Sequence, residues 1–305
     1  MVDIKHEAFM KKLMAILFSL LMAACVPHHD RTRSMETFSN PGSAVVVELN
    51  RRYNLTYPNC WNSETAPSFL CSGVVVRGTY RGNWNVWDPS PANVAKGGMG
   101  FSFLRKDSTM KNLYSGINNG FIVYPASATP ANMLKLSYLC FFPVDSDTWN
   151  RADRGCGEHS AAPVVSRYCT SQNIFTAAQF AAHYNSFSSP QAKYECSFDV
   201  RDSSAYATAS LFREGLKAMY LIPRNHVNSE NELTVQTWST QPAAKMPLEA
   251  FFFLSGNANG LVQAQENQRS FYEKSGGRIV PIVQLTIAAS HQASFQYDVN
   301  HQIYR

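Results

Sequence analysis

Apolar residues recur at two kinds of spacing along the chain, and together they outline short strands broken by a few helices. Residues 70–77 (LCSGVVVR) read as a strand. Alternation places Val74 and Val76 on one face and Val75 and Arg77 on the other. Three consecutive β-branched residues imply cover on both faces. In 100–105, Phe101 and Phe103 share a face and Ser102 takes the opposite one. Further strands are expected at 119–125, 136–143, 196–200, 232–238, 248–255, 278–287 and 294–300. Pro281 cannot donate to a ladder, which marks the 278–287 strand as an edge. Helical spacing of Val45, Val46, Leu49 and Tyr53 predicts a helix over 43–54, and Leu211, Phe212, Leu216 and Met219 predict another over 204–220. Thr176 and Gln179 form a capping box, with Phe175 and Phe180 as its hydrophobic staple, ahead of a helix running to 185. A last helix over 260–274 is stopped by Gly276 and Gly277. Strands outnumber helices and often follow one another, so the expected fold is α+β, a strand-rich single domain over 41–305.

The N-terminus follows a different pattern. Met10-Lys11-Lys12 is a basic head, and 13–24 (LMAILFSLLMAA) is an apolar run too short to span a bilayer as a helix. Small residues directly before Cys25 resemble a bacterial lipobox. Residues 1–24 are therefore expected to be a lipoprotein-type signal peptide, with Cys25 lipidated or cleavage close by. Residues 25–40 lack an apolar period and read as a tether. The expected location is exported: an outer-membrane lipoprotein, or a periplasmic or secreted protein held to a membrane only by lipid.

Composition narrows the classes. A net charge of +5 without long runs does not argue for nucleic acid, and a charged fraction of 16 % with 45 % hydrophobic residues fits a folded chain. Of seven cysteines, Cys25 aside, six remain: Cys60, Cys71, Cys140, Cys156, Cys169 and Cys196. An even number in an oxidising compartment reads as a disulfide set, whose connectivity the sequence leaves open. The favoured pairs are Cys60–Cys71, Cys156–Cys169 and Cys140–Cys196. The cysteines and histidines show no zinc spacing, and His159, His183, His226, His291 and His301 read as surface or packed residues.

Candidate chemistry sits at strand ends. An enclosed guanidinium at Arg77 needs a carboxylate or a phosphate; the plainer alternative is a strand end that reaches water or meets a structural carboxylate. Glu230 and Glu232 lie two apart at the mouth of a strand, so both face one side, either as solvated turn residues or as a site for a developing cation. Trp84 and Trp87 stand in a Pro- and Asn-rich stretch, either covering the core edge or walling a ligand. Gln265 and Gln268 are further candidates on the last helix.

The order strand–Arg–Gly–Thr, then Gly-Phe-Ser-Phe, then Glu-x-Glu resembles the Arg–Ser–Glu layout of cholera-toxin-like ADP-ribosyltransferases. That resemblance implies that Arg77 holds NAD through a phosphate and that Ser102 steadies the catalytic Glu232. It also implies that Glu230 activates an acceptor in a transferase. The second motif departs from the usual Ser-Thr-Ser, reading Phe101-Ser102-Phe103-Leu104 here. FLCSGVVVRGT, WDPSP, GGMGFSFLRKDS, NGFIVYP, NELTVQTW and PLEAFFF also resemble the halovibrin family of secreted bacterial NAD-acting proteins. What this implies is an ADP-ribosyltransferase-like β core with flanking helices and a disulfide-rich insertion around 130–200. It further implies NAD as substrate, bound by Arg77, Ser102 and Trp87, no resident cofactor, and catalysis by Glu232, Glu230 and Ser102. The expected activity is cleavage of the nicotinamide–ribose bond, with hydrolysis preferred over transfer to a protein acceptor. The alternative is a non-catalytic surface lipoprotein that binds a partner or a glycan.

Overall fold

The computed structural model describes residues 41–56, 66–79, 84, 98–108, 113, 117–144, 168–186, 196–201, 206–222, 230–236, 241–290 and 292–305. The expected signal segment, Cys25, the tether to residue 40, Cys60, Trp87 and Cys156 lie outside the described residues.

Nine strands form one mixed sheet: β1 Val74–Thr79, β2 Gly98–Leu104, β3 Asn119–Val123, β4 Tyr138–Phe142, β5 Phe198–Asp199, β6 Glu232–Gln236, β7 Leu248–Leu254, β8 Ile282–Ile287 and β9 Ala293–Gln296. Their order is β5-β4-β6-β2-β1-β3-β7-β8-β9. Neighbouring strands are antiparallel except β7 and β8, which run parallel. Four α-helices are described: α1 Pro41–Asn54, α2 Ala177–Asn185, α3 Tyr206–Leu221 and α4 Ala258–Lys274. The fold is α+β.

Both faces of the central strands are covered, as the valine run requires. Val74, Val75 and Val76 are all buried. Val75, Phe101, Phe103, Phe121 and Phe251 join one core with Phe212 and Leu216 of α3 and Ala264 and Phe271 of α4. Val74, Val76, Leu104, Ile122 and Phe252 join the other with Leu49 and Tyr53 of α1. Phe212 meets Phe103 and Phe141 edge-on, with ring centroids 5.3 and 4.9 Å apart. α2 starts at the expected capping box, and Phe180 is buried, but Phe175 stays 48 % exposed. Asn257 caps α4, and Gly276 and Gly277, both at positive φ, end it.

Several expectations are corrected. β1 begins at Val74, not residue 70: 68–70 form a single 3₁₀ turn, and Gly73 enters the strand with φ +69°. β8 starts after Pro281, whose carbonyl accepts the Phe251 N–H at 2.8 Å. That proline therefore precedes the strand instead of blunting it, and β8 is interior, between β7 and β9.

The edge strand is β9, and its outer side is closed by α1. The Asn50 carboxamide donates to the Phe295 C=O at 2.8 Å and accepts the Phe295 N–H at 3.1 Å. The Tyr53 hydroxyl accepts the Ala293 N–H at 2.8 Å. A buried ion pair, Arg52 to Glu249 of β7 at 2.5 Å, ties α1 to the sheet.

One disulfide joins Cys169 and Cys196, in place of the expected Cys156–Cys169 and Cys140–Cys196 pairs. A bridge between Tyr168 and Ser197 brings the two sulfurs' chains together, with the Cys169 N–H on the Ser197 C=O at 2.8 Å. Cys140 instead faces Asp199 across β4 and β5, and it is disulfide-bonded, as is Cys71. Among the described residues no helix is long and apolar enough to cross a membrane.

Candidate active site

β2 changes partner along its length. Gly98–Phe101 ladder with β6, in register with 236–233, whereas Ser102 and Leu104 face Val76 and Val74 of β1. β1 keeps its other neighbour, β3, as far as Thr79 opposite Asn119. From Arg77 onward, β1 is therefore no longer paired to β2, and the sheet forks between them.

Arg77 fills that fork. Its Nη1 donates to the Gly100 carbonyl, and its guanidinium lies 5.7 Å from the centroid of the Phe101 ring. The residue retains some exposure, but its charged head is enclosed. Burial pushes its pKa down to about 10, and the negative charge of Glu232 opposes that shift. Arg77 thus stays a cation at neutral pH.

Glu232 reaches the same carbonyl strand from the other side. It opens β6 opposite Phe142 of β4, partly buried, and folds across β2 over Gly100. Its Oε1 lies 2.7 Å from where a Cβ on Gly100 would stand, so only glycine leaves it this position. Thr234, next on the same face, has its hydroxyl 3.4 Å from Oε1. Arg77 and Glu232 sense each other's charge without a direct ion pair. Ser102 follows Gly100 on the face that Glu232 covers, and continuing the Phe101–Leu233 register sets it beside Glu232. It is partly buried. The structure thus sets Ser102 and Glu232 on one face of β2, whereas Arg77 starts from the other face, with Phe101, and reaches the Gly100 carbonyl through the gap between β1 and β2. Glu230 is buried at 7 % exposure, just before β6.

Two residues that complete the arrangement were not singled out from the sequence. One is Gly100, for which two glycines at strand spacing, Gly98 and Gly100, were the available signal of close approach. The other is Asn231, 1 % exposed. Its Oδ1 accepts the Phe103 N–H at 2.7 Å, and its Nδ2 donates to the Phe103 C=O at 2.9 Å. A polar residue between two glutamates gives no such signal.

Other candidates fall elsewhere. Trp84 is 3 % exposed, edge-on to Phe271 at 5.2 Å, with its backbone N–H on Asn267 Oδ1 at 2.8 Å; it covers the core edge. Gln268 is buried and bonds Val280, Gln302 and Ile303, and Gln265 donates to the His301 C=O, so both serve the C-terminal packing. Gly78, next to Arg77, leaves no space for a ligand: Ile117 Cγ2 lies 2.4 Å from where its Cβ would be. Among the described residues, no three His, Cys, Asp or Glu side chains are grouped to hold a metal ion.

No protein-family model matches this chain, and no curated protein matches it.

Proposed function

We propose that this protein is an exported enzyme that cleaves the nicotinamide–ribose bond of NAD, the activity its halovibrin-like motifs imply. The observation that carries the proposal is an enclosed cation held at the Gly100 carbonyl, Arg77, within reach of the charge of a carboxylate packed over Gly100, Glu232. Cleavage moves the glycosidic C–N electron pair onto nicotinamide and leaves a ribosyl cation. Glu232 is the group to stabilise that cation, because a preorganised carboxylate acts where positive charge develops. Ser102, beside it, orients the carboxylate. Arg77 has guanidinium donors left after its bond to Gly100, and these suit a phosphate oxygen. Water adds to the ribose and loses its proton, giving ADP-ribose.

Hydrolysis is favoured over transfer because Glu230, the residue that would activate an acceptor, is buried. The reading as a non-catalytic binder drew on an aromatic wall, and the packing of Trp84 in the core weakens it. The test is nicotinamide release when the folded protein is incubated with NAD. Release that disappears in Glu232→Gln is the expected result. Unchanged NAD with folded wild-type protein would sink the proposal.

A further inference from the structure

The Asn231 carboxamide occupies a place that a main chain would normally fill. β2 and β6 pair from Gly98–Gln236 to Phe101–Leu233. In an antiparallel ladder, alternate residues exchange both backbone bonds, so the next such step would join Phe103 to the backbone of residue 231. Instead the side chain of Asn231 makes both bonds, to the Phe103 N–H and C=O. A carboxamide has the same donor and acceptor as a peptide group, so the ladder is satisfied while the β6 backbone stands one side chain further off. Phe103 itself remains tied into the core and to β1. Nδ2 also reaches Met219 Sδ of α3 at 3.6 Å, which fixes the amide from the third side.

We infer that Asn231 is a positioning residue: its side-chain clamp holds β6 away from β2 and thereby sets the Glu232 carboxylate over Gly100. Glu232 is the next residue along, one peptide unit from the clamp. Without the clamp, β6 either zips onto Phe103 through its backbone or frays, and in both cases Glu232 leaves Gly100. The inference rests on the proposed reaction for its kinetic consequence, but its geometric part does not.

The experiment compares wild type, Asn231→Ala, Asn231→Asp and Glu232→Gln as full chains, by nicotinamide release from NAD and by NMR titration of the Arg77 Cζ. Asn231→Ala is expected to lower kcat by roughly 10- to 100-fold with KM within about twofold, as for a displacement near 1 Å at a reacting centre. The Arg77 midpoint is expected to fall below its wild-type value, because the Glu232 charge that supports the cation has withdrawn. Asn231→Asp sets an oxygen against the Phe103 C=O and is expected to lower kcat in the same way with KM little changed; its kcat and KM decide the matter if the alanine variant does not fold, since the charge it adds would itself support the Arg77 cation. Unchanged kcat together with an unchanged Arg77 midpoint overturns the inference. So does a raised KM with the midpoint unmoved, which marks general loosening. A wild type that does not consume NAD overturns the reaction alone, and the Arg77 midpoint then decides the clamp by itself.

Discussion

One chemical device appears in two parts of this sheet, with opposite results. At the β9 edge, the Asn50 carboxamide takes both backbone groups of Phe295, where no further strand follows. There it satisfies groups that would otherwise invite another chain. Where β2 and β6 stop pairing, beyond Phe101 and Leu233, the Asn231 carboxamide takes both backbone groups of Phe103, although a strand is at hand to do so. There it keeps two strands apart. A side-chain amide closes a sheet at its border and opens it in its interior, and the difference lies in what the backbone would otherwise have done.

Substitutions at the edge and the fork are therefore expected to separate stability from activity. The largest effect belongs to the edge side. Removing one partner of the buried Arg52–Glu249 pair strands a charge, so Arg52→Ala is expected to cost about 3–5 kcal/mol in chemical denaturation. Turnover per folded molecule should be unaltered; a loss of turnover would mean that α1 reaches the site. At the fork the order reverses. Glu232→Gln is expected to reduce nicotinamide release by at least about 100-fold with little change in melting temperature. Wild-type rates in that variant would move the site elsewhere. Gly100→Ala tests the same point sterically. A methyl group 2.7 Å from Oε1 must displace the carboxylate, with an expected drop in kcat and a folding cost of roughly 1–3 kcal/mol.

How far such contrasts could be read in advance depended on range. Local patterns were legible: the valine run, the Thr176–Gln179 box and the glycines after α4 are short-range signals, and each sits where its spacing placed it. The parting of β2 from β6 was not, because it involves Asn231 bonding to Phe103, 128 positions away. The disulfide was missed for a related reason. Six cysteines allow about 15 pairings, and the one described follows from the bridge at Ser197, which no spacing reports. Pro281 misled because a proline just before a strand and one on an edge strand look alike in sequence.

A smaller effect is expected at the edge itself. Asn50→Ala leaves the Phe295 peptide without its partner, at a cost of roughly 1–3 kcal/mol and with a tendency to self-associate visible by light scattering. Unchanged stability would mean that water replaces the amide freely. The smallest is a pH effect at the fork. Arg77 is expected to lose its proton with a midpoint of about 10 when folded, below the ordinary guanidinium value of the unfolded chain. Between those values the unfolded chain binds more protons, so this group makes stability rise with pH while activity falls. Parallel decline of both would place the alkaline transition on another residue.

The clasp between Asn50 and Phe295 also bears on the order of assembly. Its partners stand 245 residues apart, near the two ends of the described chain. Loop closure over such a span is slow to gain its reward, and contacts of this kind lower folding rates. α1 can form its turns early and pack on the central strands, yet the border it closes does not exist until β9 has been made. A chain cut short before Phe295 would keep the Arg52–Glu249 tie but lose the clasp and leave β8 as a bare border. The stretch through β9 thus acts as a checkpoint in synthesis: only a chain that has reached Phe295 can shut this border of its sheet.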